Sequence, residues 1–213
     1  MDTKALGIHH TFQSFHYSVY NRHSTQGHTV PNSFHPLKTQ HIDVAHTNHS
    51  QMVPRMLPKS KEYDVIYHNL TISLADLFKW VEELVRKFFP EEFDILAKFC
   101  NVLPLNTKSP VYPLSVLVVN LDVTTRGHRD RKDYRICVII PWGKHSSGHF
   151  CIYELGLVFK MNPGDVCIFS SKDLTHFNLH FHGYCGSIVL HADEELQVWE
   201  KDRNGWEANA HMT

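Results

Sequence analysis

Hydrophobic positions follow three regimes along this chain. Over residues 1–60, His, Ser, Thr, Asn, Gln and Pro dominate, and the few apolar residues keep neither a 3.6-residue nor a two-residue repeat. Such a stretch buries little and reads as an irregular N-terminal arm. Near Tyr63 the pattern becomes helical. Ser73 followed by Asp76 has the form of a capping box, and Leu74, Leu77, Phe78, Val81, Leu84, Val85 and Phe88 recur at helical spacing, which predicts one amphipathic helix. Pro90 ends it and opens a second, with Phe93, Leu96, Ala97 and Cys100 on one face, because the first turn of a helix has no use for the N–H that proline lacks.

From Pro110 onward the pattern changes again. Six β-branched and aromatic runs, "LSVLVVNLDVT", "YRICVIIPW", "HFCIYELGLVF", "DVCIFS", "THFNLHF" and "GSIVLHA", predict strands. The segments between them, "TRGHRDRKD", "GKHSSG", "NPGD" and "HGYCG", carry Gly, Pro or Asp and predict turns. Helices followed by closely spaced strands define an α+β fold whose β part is a sandwich or jelly roll. The expected organisation is a His-rich arm over 1–60, one domain over 61–200 and a polar tail over 201–213.

Composition narrows the class. A chain of 213 residues supports one well-buried core. With 42% hydrophobic and 20% charged residues it reads as globular, and no apolar run approaches the roughly 20 residues that span a bilayer. The N-terminus opens with an acid and lacks a continuous apolar segment, so no secretory signal is expected and the protein is placed inside the cell. Its five cysteines are scattered and form no CxxC, which points to reduced, mostly core thiols. The net charge of -1 excludes a global basic field. Positive charge is nevertheless concentrated in one window, 126–135, where Arg126, Arg129, Arg131, Lys132 and Arg135 face only Asp130 and Asp133.

That window contains His128-Arg129-Asp130. On extended backbone residues i and i+2 share a side, so an imidazole and a carboxylate can reach one ion. The spacing recurs as His41-Ile42-Asp43 and His191-Ala192-Asp193. The first of these lies in the irregular arm, and the second closes a strand with only His211 following it. His128 and Asp130 sit at a turn inside the β-rich region with further histidines downstream. Two His and one carboxylate occupy three positions on Fe(II) and leave three for a keto acid and O2. Among His145, His149, His176, His180, His182 and His191, we choose His176 as third ligand, because it begins a strand 46 positions after Asp130. The arm's nine histidines offer a separate reading, a zinc-binding tract.

"VVNLDVTTRGHRD", "CVIIPWGKHSSGHFCIYELGLVF", "NPGDVCIF", "THFN" and "GSIVLHAD" together resemble the double-stranded β-helix (jelly-roll) core of the Fe(II)/2-oxoglutarate-dependent dioxygenases. More narrowly, they resemble the fungal TET/JBP-like branch. The resemblance spans roughly residues 70–193. It implies N-terminal flanking helices, iron held by His128, Asp130 and His176, and oxidation of 5-methylcytosine or another methylated base in DNA with 2-oxoglutarate and O2. A DNA substrate implies a nuclear protein.

Members of this family usually carry an arginine after the distal histidine that pairs with the far carboxylate of 2-oxoglutarate, a role suited to the guanidinium fork. Here that position is Cys185, and no Lys or Arg occurs between Lys172 and Lys201. Three readings follow: the anchor comes from elsewhere, with Arg135 and Lys160 as candidates and His182 a weaker one; the co-substrate differs; or the fold is a catalytically degenerate metal-binding barrel. Asn120 is a further candidate for holding co-substrate. For DNA, Arg126, Arg129, Arg131 and Lys132 are candidates to grip phosphates, and Trp142, Phe150 and Tyr153 to stack on an extruded base.

Overall fold

The structure, a computed structural model, describes residues 13–18, 63–102, 109–194 and 196–197. The remainder of the expected arm, with His41 and Asp43, and the tail beyond 197 lie outside the described residues. The chain divides into two compact units. One contains Val116–Ala192 with residues 13–17, and the other contains the helices.

The helical unit comprises α1 (Asp64–Ser73), α2 (Ala75–Phe88) and α3 (Pro90–Val102). The predicted stripe on α2 is present: Phe78, Val81 and Val85 are buried, while Phe88 at its end is exposed. Phe93, Leu96, Ala97 and Cys100 of α3 are buried together, and Arg86 stacks on Phe93 at 4.0 Å. The expected capping box is absent. Ser73 is the last residue of α1 rather than a cap, and no side chain caps α2. The reason is continuity: Leu74 N donates to Leu70 O and Phe78 N to Leu74 O, so backbone bonds run across the junction and meet the need a cap otherwise meets.

The β unit holds β1 (Gln13–Ser18), β2 (Val116–Leu121), β3 (Cys137–Ser147), β4 (Phe150–Ile152), β5 (Leu157–Phe159), β6 (Cys167–Phe169), β7 (His176–Asn178) and β8 (Phe181–His191). They form a five-stranded sheet in the order β1-β2-β8-β3-β6 and a three-stranded sheet in the order β5-β4-β7. All the described ladders of Val116–His191 are antiparallel. Cys137, Phe150, Ile152 and Phe169 form an apolar core to which Ile139 and Val189 add, so strands of both sheets share one interior. The fold is therefore α+β, with the helices preceding every described strand but β1.

Four sequence expectations are corrected here. Gln13–Ser18 is a strand although it falls in the segment read as irregular. "HFCIYELGLVF" is two strands, β4 and β5, joined by a turn at 153–156. Residues 143–147 of "GKHSSG" and all of "HGYCG" are not turns but parts of β3 and β8, which pair from Val138↔Leu190 to Ser147↔Phe181, leaving only Gly148 and His149 between β3 and β4. Glycine makes this possible where the two backbones crowd. Gly143 (φ 107°) and Gly183 (φ 103°) adopt conformations closed to other residues, and a Cβ on either would lie within 2.4 Å of a carbonyl oxygen across the ladder. "NPGD" is a turn as predicted, with Gly164 at φ 90° and Asp165 Oδ2 accepting from Asn162 N at 2.6 Å.

Candidate metal centre

The segment leaving β2 reaches the site through Asn178. Its Oδ1 accepts from Thr125 N at 3.1 Å, and its Nδ2 donates to Val123 O at 3.0 Å. This brings residues 126–130 alongside β7. His128 N donates to His176 O at 3.1 Å and His176 N to His128 O at 2.9 Å. Two residues that exchange both bonds sit directly opposite and present their side chains on one face. Accordingly the imidazoles lie 4.4 Å apart, centroid to centroid. Asp130 is fixed from the other side, where its N–H donates to Ser171 O at 3.0 Å.

The ligand atoms of His128, Asp130 and His176 lie within 4.8 Å of one another. His176 Nε2 is 3.4 Å from Asp130 Oδ2, and His128 Nε2 is 3.8 Å from Asp130 Oδ1. In both imidazoles the other nitrogen is engaged. His128 Nδ1 donates to Arg126 O at 2.8 Å, and His176 Nδ1 to Leu174 O at 3.1 Å. A ring whose Nδ1 carries the proton offers its Nε2 lone pair, and this outer hydrogen bond is the usual partner of a metal-binding histidine. Two Nε2 donors and a carboxylate form the donor set that suits a divalent iron with open positions. The residues fit such an ion.

Access is one-sided. The His176 side chain is 6% exposed, whereas those of His128 and Asp130 are about two-fifths exposed. Behind His176 pack Phe169 at 4.9 Å and Phe150 at 5.9 Å. Burial opposes charge on His176, but hydrogen bonds to Asp130 and Leu174 O outweigh it and raise its pKa. Burial likewise pushes the Asp130 carboxyl up, yet the hydrogen bond to His176 and the nearby histidines hold it below its ordinary value.

A second polar group lies beside the first. Asp133 is buried; its Oδ2 accepts from Ser171 Oγ at 2.7 Å, and its Oδ1 is 2.9 Å from His191 Nδ1. The third His-x-Asp pair thus supplies a histidine to this buried network and not to the metal group.

Of the other predicted residues, Arg126, Arg131 and Lys132 are exposed on the loop that carries the metal group. Arg129 is engaged with Glu154 and Thr175. Tyr153 N donates to Thr175 O at 2.9 Å, one residue before His176, and the residue is 74% exposed. Trp142 is placed elsewhere. It lies over Gly186, where a Cβ would be 2.2 Å from the indole, and it meets Tyr184 edge-on. Gly186 and Val189 are three apart on β8 and so face opposite ways. Since Val189 packs on the core that backs His176, Trp142 is on the wrong face to stack at the metal group.

Asn120 Nδ2 donates to Ser187 Oγ at 3.2 Å. Cys185 is half-buried, two residues from Ser187 on the same face of β8. Arg135 is exposed with its guanidinium 5.6 Å from the Tyr134 ring, and Lys160 is exposed just past β5. Neither is among the three grouped residues. Sequence reasoning missed Glu154, Asp133, Ser171, Thr175 and Asn178, because each acts through a contact formed only when distant segments meet.

No protein-family model matches the chain. Over 104 residues it is 34% identical to the bifunctional helicase and thymine dioxygenase JBP2 of Trypanosoma cruzi (strain CL Brener), a match covering 43% of this chain and 9% of that protein. The chain thus corresponds to a small part of that relative's length. Among solved structures, NgTET1 in complex with 5mC DNA superposes with a TM-score of 0.48 and 16% identity over 56% of this chain and 48% of the other. An oxidoreductase of the 2OG-Fe(II) oxygenase family from Burkholderia pseudomallei gives a TM-score of 0.33 and 22% identity over 37% and 43%. His128, Asp130 and His176 form a two-histidine, one-carboxylate group that could hold a metal ion. The sequence similarity is to a protein named as a thymine dioxygenase, and it extends over the 104 matched residues.

Proposed function

We propose that this protein is a non-haem Fe(II) and 2-oxoglutarate-dependent dioxygenase acting on 5-methylcytosine, or another methylated base, in nuclear DNA, and that its two sheets form a double-stranded β-helix. The observation that carries the reading is the convergence of His128, Asp130 and His176, with both Nδ1 atoms committed to backbone carbonyls and both Nε2 atoms turned toward the Asp130 carboxylate. Bound iron supplies the activation of O2 needed to oxidise an unactivated C–H bond. The relative named a thymine dioxygenase supports a pyrimidine as the reacting group. A base must leave the stack to reach such a centre, and the open side at His128 and Asp130 is where it arrives. Arg126, Arg131 and Lys132, exposed on the same loop, are the candidates for phosphate contact, and Tyr153, also exposed, is the candidate for stacking.

A second reading is favoured by one observation. The expected arginine position holds Cys185, whose N–H donates to the carboxylate of Asp122 at 3.0 Å. A carboxylate there disfavours a dicarboxylate co-substrate, which supports either another co-substrate or a metal-binding fold without turnover. Incubating methylated duplex DNA with the Fe(II)-loaded protein, with and without 2-oxoglutarate, separates these. Oxidised methylcytosine that depends on 2-oxoglutarate and is lost in His128→Ala supports the first reading. Product independent of 2-oxoglutarate supports a different co-substrate, and no product from iron-loaded protein supports the silent fold.

A further inference from the structure

Arg129 stands between His128 and Asp130, and Thr175 stands immediately before His176. Side chains alternate along extended backbone, so these two residues are out of phase with the ligands beside them. They meet each other: Arg129 Nε donates to Thr175 Oγ1 at 3.0 Å. Glu154, in the turn between β4 and β5, completes the group. Its Oε1 accepts from Arg129 Nη2 at 2.6 Å and from Thr175 Oγ1 at 2.5 Å, and its Oε2 accepts from Thr175 N at 2.7 Å. Three side chains thereby make a closed triangle one residue removed from every metal ligand.

Surface ion pairs contribute little to stability, and Arg129 and Glu154 are 45% and 28% exposed. What distinguishes this pair is its location. It joins the two chain segments that must hold a fixed separation if their imidazoles and carboxylate are to share an ion. We propose that Glu154 is a positioning residue for the metal centre, tying the His128–Asp130 segment to His176 through Arg129 and Thr175. The proposal rests on reading His128, Asp130 and His176 as metal ligands. Groups that orient ligands from outside the donor set typically change metal affinity by about 10- to 100-fold when removed.

The test is Co(II) titration of the whole 213-residue chain in metal-free form, followed by visible absorption, with metal-free melting temperatures measured in parallel. Glu154→Gln removes the charge and Thr175→Val removes the hydroxyl at nearly constant shape. Both are expected to bind Co(II) about tenfold or more weakly with an altered d–d spectrum, and the double variant to be little worse than either, since the triangle acts as a unit. Wild-type affinity and spectrum in both single variants overturn the proposal. So does a loss of affinity that merely tracks a lower melting temperature. His128→Ala reports on the underlying reading: if it binds Co(II) as tightly as the unchanged chain, the ion is held elsewhere and both ideas fall, whereas a normal Glu154→Gln beside a defective His128→Ala removes the positioning role alone.

Discussion

Asp122 and Cys185 exchange two hydrogen bonds: Asp122 N donates to Cys185 O at 2.8 Å, and Cys185 N donates to Asp122 Oδ1 at 3.0 Å. The pairing places a carboxylate beside the thiol, and burial first, then the Asp122 charge, keep that thiol's pKa above its ordinary value. A neutral sulfhydryl next to an anion thus stands at the position where the sequence resemblance leads us to expect a guanidinium.

An arginine introduced there meets Asp122 before it meets any co-substrate. Cys185→Arg alone is expected to give little 2-oxoglutarate binding, and Cys185→Arg with Asp122→Asn about tenfold more. Asparagine suits the left-handed backbone at this position, φ 51°. Anaerobic calorimetry with Fe(II) present measures the difference. Equal, negligible binding by both variants places the anchor elsewhere.

Protons compete with metal for the site. The His176 pKa is raised, chiefly by its hydrogen bond to Asp130 working against burial, so the ring holds a proton above its usual 6.5. Metal affinity is therefore expected to fall as pH drops through that raised value, with up to about tenfold loss per pH unit for each proton displaced. Asp130, held below its ordinary value, joins only in stronger acid. Co(II) titrations from about pH 8 to pH 5.5 test this, and a flat profile contradicts it.

Removing one partner of a buried ion pair leaves the other unpaired. His191 lies 2.9 Å from Asp133, with side chains 14% and 8% exposed. His191→Ala is expected to cost about 3–5 kcal/mol in urea unfolding. Burial lowers the His191 pKa, but the Asp133 carboxylate overcomes this and raises it. A raised folded-state pKa means that the pair's contribution is complete below about 6.5 and is lost as pH climbs through the folded value. Stability that rises over that range contradicts the assignment.

Trp142 leaves no room above Gly186. An added methyl group there would sit 2.2 Å from the indole, so Gly186→Ala is expected to lose about 1–3 kcal/mol by overpacking. Trp142→Leu in the same chain should recover much of that loss. A melting temperature unchanged by Gly186→Ala would show the ring to be elsewhere.

The sequence announced some of these features more clearly than others. α2 and α3 were legible because burial on one helical face leaves a 3.6-residue signature, realised in Phe78, Val81 and Val85. α1 left none, and no residue in it is buried. β2 and β6 were legible as apolar runs. The distal parts of β3 and β8 were not: their glycines and polar residues read as turns, and only the long ladder between them makes those residues strand. The three grouped residues were legible from spacing and context together: His-x-Asp recurs three times, and position at a turn in the β-rich region, ahead of further histidines, singled out His128 and Asp130 and pointed to His176. Glu154 was hidden, because "YELG" says nothing of an arginine 25 positions earlier.

The two imidazole hydrogen bonds point to a division of labour. His128 and His176 each place the Nδ1 proton on the carbonyl two residues upstream in their own chain segment. Which nitrogen would face a bound ion is therefore written into two tripeptides, Arg-Gly-His and Leu-Thr-His, while where that nitrogen lies in space is decided by strand pairing, by Asn178 and, on our proposal, by the Glu154 triangle. Changes in the surrounding sheets can move the two rings apart without altering the face each one offers, so the chemistry of the donors can persist through sequence drift that has already disturbed their geometry.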